Sequence, residues 1–177
     1  MDNFLFASIY NVAFKGVWAD ALIILFAAYW EMVVAAVLLM YLWSPQLKRV
    51  DLKVRAKKVG WAMFSAIVAK FGVAGLIRFL YPIERPFAAN GLDALINQNP
   101  LEPSFPSGHA TFFMALAVYF ILVGNKKLGW FILVSALAIS VARVAAGVHW
   151  PSDIVAGWLT GAAISFVVFK IANRFRG

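Results

Sequence analysis

Five long apolar runs dominate the chain, at about 20–43, 59–80, 108–124, 128–148 and 152–172. Each is close to the roughly 20 residues that cross a hydrocarbon layer about 30 Å thick. None alternates apolar with polar residues, as the strands of a closed barrel do. The pattern predicts an all-α integral membrane bundle of about five transmembrane helices, forming one domain over residues 1–177. Ahead of the first run, Phe6, Ile9, Tyr10, Ala13, Phe14 and Val17 share one helical stripe. That stripe predicts a short helix lying in the membrane interface, or else simply the first turns of the first spanning helix.

The polar stretches between the runs set the orientation. The first linker carries Lys48, Arg49, Lys53, Arg55, Lys57 and Lys58 against Asp51. Asn125–Lys126–Lys127 forms a second, and Lys170, Arg174 and Arg176 close the chain. Five spans put all three on one side, and an excess of Lys and Arg marks that side as cytoplasmic. The N-terminus, the 81–107 loop and the turn near Val148–Pro151 then lie outside. The loop is rich in breakers, among them Pro82, Pro86, Asn90–Gly91, Pro100, Pro103 and Pro106, so it should not span. Loops this long are often functional. Met1–Asp2–Asn3 lacks a basic leader, so no cleavable signal peptide is expected.

Composition sharpens this picture. Hydrophobic residues make up 63% of the chain, against about half in soluble domains. The net charge of +8 falls in the basic segments, so no nucleic-acid partner is implied. Cysteine is absent, which excludes disulfides and thiolate chemistry. The oligomeric state leaves no trace in the sequence.

Counting helices brings six reactive residues to the outer boundary. Arg78 and Arg85 flank the end of the second run, and Arg143 lies near the end of the fourth. His109 begins the third run, and His149 and Asp153 begin the fifth. Ser107 is a good N-cap for the third helix, whose first amides lack intrahelical partners. Such a helix start favours anions, and Gly108 permits close approach to the backbone. His149 and Asp153 are four apart, so a helical turn places them on one side. A carboxylate on one imidazole nitrogen fixes the tautomer and frees the other as a nucleophile. Three guanidiniums suit a transferring phosphoryl group. Singly, each residue is more simply a cap, a surface group or an ion pair. Together, both histidines of the chain, three arginines and an aspartate point to phosphate chemistry.

Three segments, RFLYPIERP (78–86), PSGH (106–109) and ARVAAGVHWPSD (142–153), resemble the three motifs of the type 2 phosphatidic acid phosphatases, the PAP2 superfamily. With their helices they cover most of residues 60–172. Two positions depart from the family pattern. Arg78 stands where lysine is usual, which keeps the charge and adds a fork. Ala142 stands where serine is usual, which removes one phosphate-binding hydroxyl. The resemblance implies that His149 attacks phosphorus to form a phosphohistidine and that Asp153 orients it. It implies that His109 protonates the leaving oxygen and then activates water. Arg78, Arg85, Arg143, Ser107 and Gly108 would hold the phosphate. Family members need no metal or other cofactor, and Glu84, Asp93 and Glu102 of the outer loop form no evident ligand cluster.

The expected function is a lipid phosphatase of a bacterial inner membrane, acting at the extracytoplasmic face among membrane lipids. Undecaprenyl diphosphate is the favoured substrate. Phosphatidylglycerol phosphate, phosphatidate and lipid A are the alternatives, because nothing in the sequence decides the headgroup. A non-enzymatic transporter or anion-binding scaffold is a different class of reading. Oxidative vanadate chemistry is another, against which the five spans argue. Two mid-span charges stand outside the motifs. Glu31 and Lys70 fall at similar depths in adjacent helices, which predicts a structural ion pair without a part in catalysis.

Overall fold

The computed structural model describes residues 2–44 and 51–174. Lys48, Arg49 and Arg176 of the basic segments lie outside them. Among the described residues every regular element is helical. Helix α1 is Asp2–Tyr10. The first long helix, Val17–Trp43, comprises α2 (Val17–Ile24), a π-helical turn (Leu25–Tyr29) and α3 (Trp30–Trp43). The second, Leu52–Leu80, comprises α4 (Leu52–Ile67), a π-helical stretch (Val68–Val73) and α5 (Ala74–Leu80). A short α6 (Pro86–Asn90) follows. The last three are α7 (Gly108–Leu122), α8 (Lys126–Ala145) and α9 (Pro151–Arg174).

Four helices are long and apolar enough to cross a membrane, and α7 is a shorter apolar one. Their outer faces are covered with exposed apolar side chains, including Val17, Leu39, Phe79, Val134 and Leu159. Exposed Trp18 and Tyr81 mark one end of the bundle, and exposed Trp43 and Trp130 the other, as in an aromatic belt. The chain is a multi-pass membrane protein.

The arrangement centres on α7. At 15 residues it is only about 22 Å long, short for a span, and it is buried by its neighbours. Ala110, Ala115, Leu116, Ala117, Tyr119 and Phe120 of α7 are essentially inaccessible. Lipid tails are as apolar as leucine, so close packing rather than water avoidance joins such helices. Small residues of α9 provide that packing. A side chain at Gly157 would press on Ala110 and the Ser107 carbonyl, and one at Gly161 would strike the Thr111 carbonyl. On α9, Ser165 Oγ also donates to the Ala115 carbonyl, at 2.9 Å.

The second long helix begins earlier than its apolar run because its charged first turns are also helical. Asp51 caps it by accepting from the Lys53 amide at 3.0 Å. Arg55, counted as an inward-marking charge, is buried. It donates to the carbonyls of Tyr41 and Ser44, at 2.9 and 3.2 Å. A cation there meets the orphan carbonyls and negative dipole end of α3.

The N-terminal stripe is shorter than expected. Helix α1 stops at Tyr10, and Phe14 adopts a left-handed backbone, φ 60°. Phe6 and Ala13 are buried, whereas Phe14 and Val17 are exposed. Phe6 packs on Trp150, with ring centroids 5.1 Å apart. Asp2 accepts from the backbone amide and hydroxyl of Ser152, capping α9. Helix α1 therefore braces the α8–α9 turn.

Candidate active site

The beginnings of α7 and α9, the ends of α5 and α8 and the 81–107 loop meet at one end of the bundle. A single backbone bond joins the second and third motifs: the Ser107 amide donates to the Asp153 carbonyl at 3.0 Å. Asp153 then serves both sides of that junction. Its Oδ2 lies 3.2 Å from His149 Nδ1 and accepts from the Trp150 amide at 2.8 Å. Both side chains are buried, 3% and 0% accessible. The expected i,i+4 pair is formed, and Pro151 at the helix start holds the turn that makes it. The His149 imidazole is held well below the ordinary histidine range, by burial first and then by the guanidiniums of Arg143 and Arg85.

Each arginine ties a motif segment in place. Arg78 forks onto the Pro106 carbonyl, through Nε at 3.1 Å and Nη2 at 2.9 Å. Arg85 donates from Nη1 to the Val148 carbonyl at 2.9 Å and from Nε to the Glu102 carbonyl at 3.1 Å. Burial lowers its pKa, and the nearby Glu102 carboxylate opposes that shift. Arg143 donates to the Ala27 carbonyl at 3.0 Å and to Gln98 Oε1 at 3.1 Å. Gln98 in turn donates to Glu102 at 3.1 Å, and Glu102 lies 3.8 Å from Arg85. The long loop thus links two guanidiniums through Gln98 and Glu102, a role its polarity alone did not reveal.

Ser107 stands at the N-cap of α7 without making a side-chain cap bond. Its Oγ and Arg143 Nε are buried and have no hydrogen-bond partner. An unsatisfied buried donor or acceptor costs about 1–3 kcal/mol. An unpaired Ser107 hydroxyl beside the first amides of α7 suits an incoming oxyanion, and the Arg143 Nε is a second buried donor without a partner. Gly108 leaves room for two cationic side chains: a Cβ there would lie 2.5 Å from Arg78 Nη2 and 3.4 Å from Lys70 Cε, so the guanidinium would have to shift.

His109 has a partner that the motifs did not name. Its Nε2 lies 3.2 Å from Glu31 Oε2. Glu31 does not form the expected ion pair with Lys70. The Lys70 ammonium instead lies over the rings of Phe71 and Phe112, at 5.2 and 5.7 Å, within cation–π reach. Glu31, Lys70 and His109 line one cavity of about 350 Å³, with Met32, Leu38, Met63, Phe112 and Leu116 as its apolar walls. The mid-span position of Glu31 was itself a signal, because an ionisable group there is a functional candidate by default. What helix counting could not supply was its direction. In the π turn the Trp30 amide reaches back to the Leu25 carbonyl. The extra residue in that turn rotates the rest of the helix by about 100°.

Ala142, the other departure from the motif pattern, is buried in an apolar cluster with Ile23, Ala27, Ala145 and Val148. Among the described residues, no group of three or more His, Cys, Asp or Glu is placed to hold a metal ion.

The chain is 31% identical over 133 residues to an undecaprenyl-diphosphatase of Sulfolobus acidocaldarius, covering 75% of this chain and 65% of that protein. It is 31% identical over 110 residues to undecaprenyl-diphosphatase BcrC of Bacillus subtilis, covering 59% and 56%. The chain therefore spans less than two thirds of the length of these relatives. The crystal structure of Aquifex aeolicus LpxE superposes with a TM-score of 0.71 at 23% identity, over 96% of this chain and 94% of that one, which shows a shared fold. The family model of the PAP2 superfamily matches residues 58–176, a stretch that contains all three motif segments and the helices that bring them together. The chain belongs to the PAP2 superfamily.

Proposed function

We propose that this protein is a membrane lipid phosphatase that removes phosphate through a phosphohistidine on His149. One observation carries the reading: a buried carboxylate holds His149 while the same residue's backbone docks the α7 N-terminus. His149 presents Nε2 to phosphorus because Nδ1 is engaged by Asp153. Arg78, Arg85 and Arg143 stabilise the charge on the phosphoryl oxygens, with Ser107 Oγ and the Gly108 amide as further donors. As the bond from His149 Nε2 to phosphorus forms, the bond to the leaving oxygen breaks and His109 gives that oxygen a proton. In the second step neutral His109 takes a proton from water, whose oxygen attacks phosphorus and frees His149. We take residues 1–177 as one working unit, since the first long helix supplies contacts to both Arg143 and His109.

The names of the two relatives favour undecaprenyl diphosphate, cleaved to undecaprenyl phosphate and inorganic phosphate. The basic Asn125–Lys127 turn lies at the opposite end of the bundle from the site, which supports an extracytoplasmic site in a bacterial inner membrane. The test is phosphate release in detergent from undecaprenyl diphosphate, with phosphatidylglycerol phosphate, phosphatidate and lipid A in parallel. His149→Ala should lose at least about 10³-fold in kcat, the scale seen when an enzyme loses its nucleophile. Wild-type protein inactive on all four lipids, or an active His149→Ala, would overturn the reading.

A further inference from the structure

We infer that Glu31 is a positioning residue for catalysis: its carboxylate holds the His109 imidazole and stabilises the positive charge it carries when protonated. The inference rests on the reading in which His109 moves the leaving group's proton. It assigns a functional residue to the first long helix, ahead of the segment that the family model matches.

Three observations support it. The contact is direct, with Glu31 Oε2 3.2 Å from His109 Nε2. It is made near the middle of a 27-residue membrane-crossing helix, where a carboxylate is expensive to keep unless it is paired or faces a polar cavity. Its position is also fixed by α8, through two residues that precede it. Arg143 holds the Ala27 carbonyl at 3.0 Å, and Trp30 Nε1 donates to Ser135 Oγ at 3.1 Å. Both anchors lie within four residues of Glu31. An imidazole bonded to a carboxylate through one nitrogen keeps the other for the reacting oxygen. In the first step that nitrogen releases its proton to the leaving oxygen. In the second it takes one from water, and the carboxylate faces the imidazolium that results.

The experiment compares two monoesters in detergent. The leaving group of dodecyl phosphate is an alkoxide and needs a proton; that of p-nitrophenyl phosphate is a stabilised phenolate and does not. General acid catalysis as a whole is worth about 10²–10⁴-fold, so Glu31→Gln should lower kcat/KM for dodecyl phosphate about 10- to 100-fold. For p-nitrophenyl phosphate the loss should stay under about 3-fold, because no proton is transferred in the step that kcat/KM reports. Glu31→Asp should recover most of the dodecyl phosphate rate, while KM for that ester moves little in either variant. Equal losses on both esters would mean that Glu31 only shapes the pocket, and no loss on either would mean that it does nothing; each result overturns the inference. If His149→Ala hydrolyses the esters, or wild-type protein hydrolyses neither, the underlying phosphatase reading fails instead.

Discussion

The two histidines of the site sit in matched but unequal settings. Each has a carboxylate oxygen 3.2 Å from a ring nitrogen. His149 takes its partner from four residues away, across one turn, and both side chains are sealed from solvent. His109 takes its partner from another helix, 78 residues earlier in the chain, and the pair borders an open cavity with side chains 26% and 46% accessible. The difference matches the two tasks proposed for these histidines. A nucleophile must meet phosphorus along one line, so its ring benefits from a rigid, local clamp. An acid and base must exchange its proton with the leaving group and then with water, which requires access.

That inequality can be tested by exchanging each acid for its amide. Asp153→Asn keeps the shape but replaces one carboxylate oxygen by an NH2 group, which favours the wrong imidazole tautomer. In a serine protease the same change to the orienting aspartate costs about 10⁴ in kcat, so a loss of about 10³–10⁴-fold in phosphate release is expected here. This should exceed the Glu31→Gln effect on any lipid substrate. Equal losses would show that burial does not separate the two clamps.

The comparison can be sharpened by titration. Burial and the guanidiniums of Arg143 and Arg85 favour the neutral form of His149, so it should take up a proton only well below the usual pH of about 6.5. The chain has two histidines, and His109→Gln therefore leaves one imidazole to follow by NMR in detergent. Its ring signals should stay in the neutral position as pH falls from 8 through 6.5. The sign for stability agrees: the unfolded ring binds its proton near 6.5 and the folded ring does not. The stabilisation is thus present above that pH and declines below it. A midpoint at or above 6.5 would contradict the buried setting.

Legibility in the sequence followed the distance between partners. The five apolar runs, the N-cap at Ser107 and the His149–Asp153 pair depend on spacing within one element, and helical periodicity reports that directly. The meeting of the three motif segments followed from counting spans. The Glu31–His109 contact did not, because it depends on the rotation of one long helix against another. A single π turn at Leu25–Tyr29 resets that rotation without leaving a signature in the apolar pattern. The bridge from Arg143 through Gln98 and Glu102 to Arg85 was hidden for a related reason. It is built from a loop whose path is set by the groups it joins. Arg55 carries a second role that charge counting does not reveal: at the side it marks, its guanidinium also binds the carbonyls at the end of α3.

The smallest effect is expected where the sequence departs most visibly from its family. Ala142 replaces a serine whose hydroxyl the motif assigns to phosphate. Its methyl group lies in the apolar cluster with Ile23 and Ala27 of the first long helix, and the neighbouring Arg143 donates to the Ala27 carbonyl. A serine hydroxyl on a helix can bond back to the carbonyl one turn earlier, so it need not turn toward the phosphate. Restoring it should therefore change little. Ala142→Ser is expected to alter kcat/KM on undecaprenyl diphosphate by less than about 2-fold, under about 0.4 kcal/mol of transition-state stabilisation. A rise of 10-fold or more would show that a hydroxyl at 142 reaches the phosphoryl oxygens, and that this chain works with one donor fewer than its fold can supply.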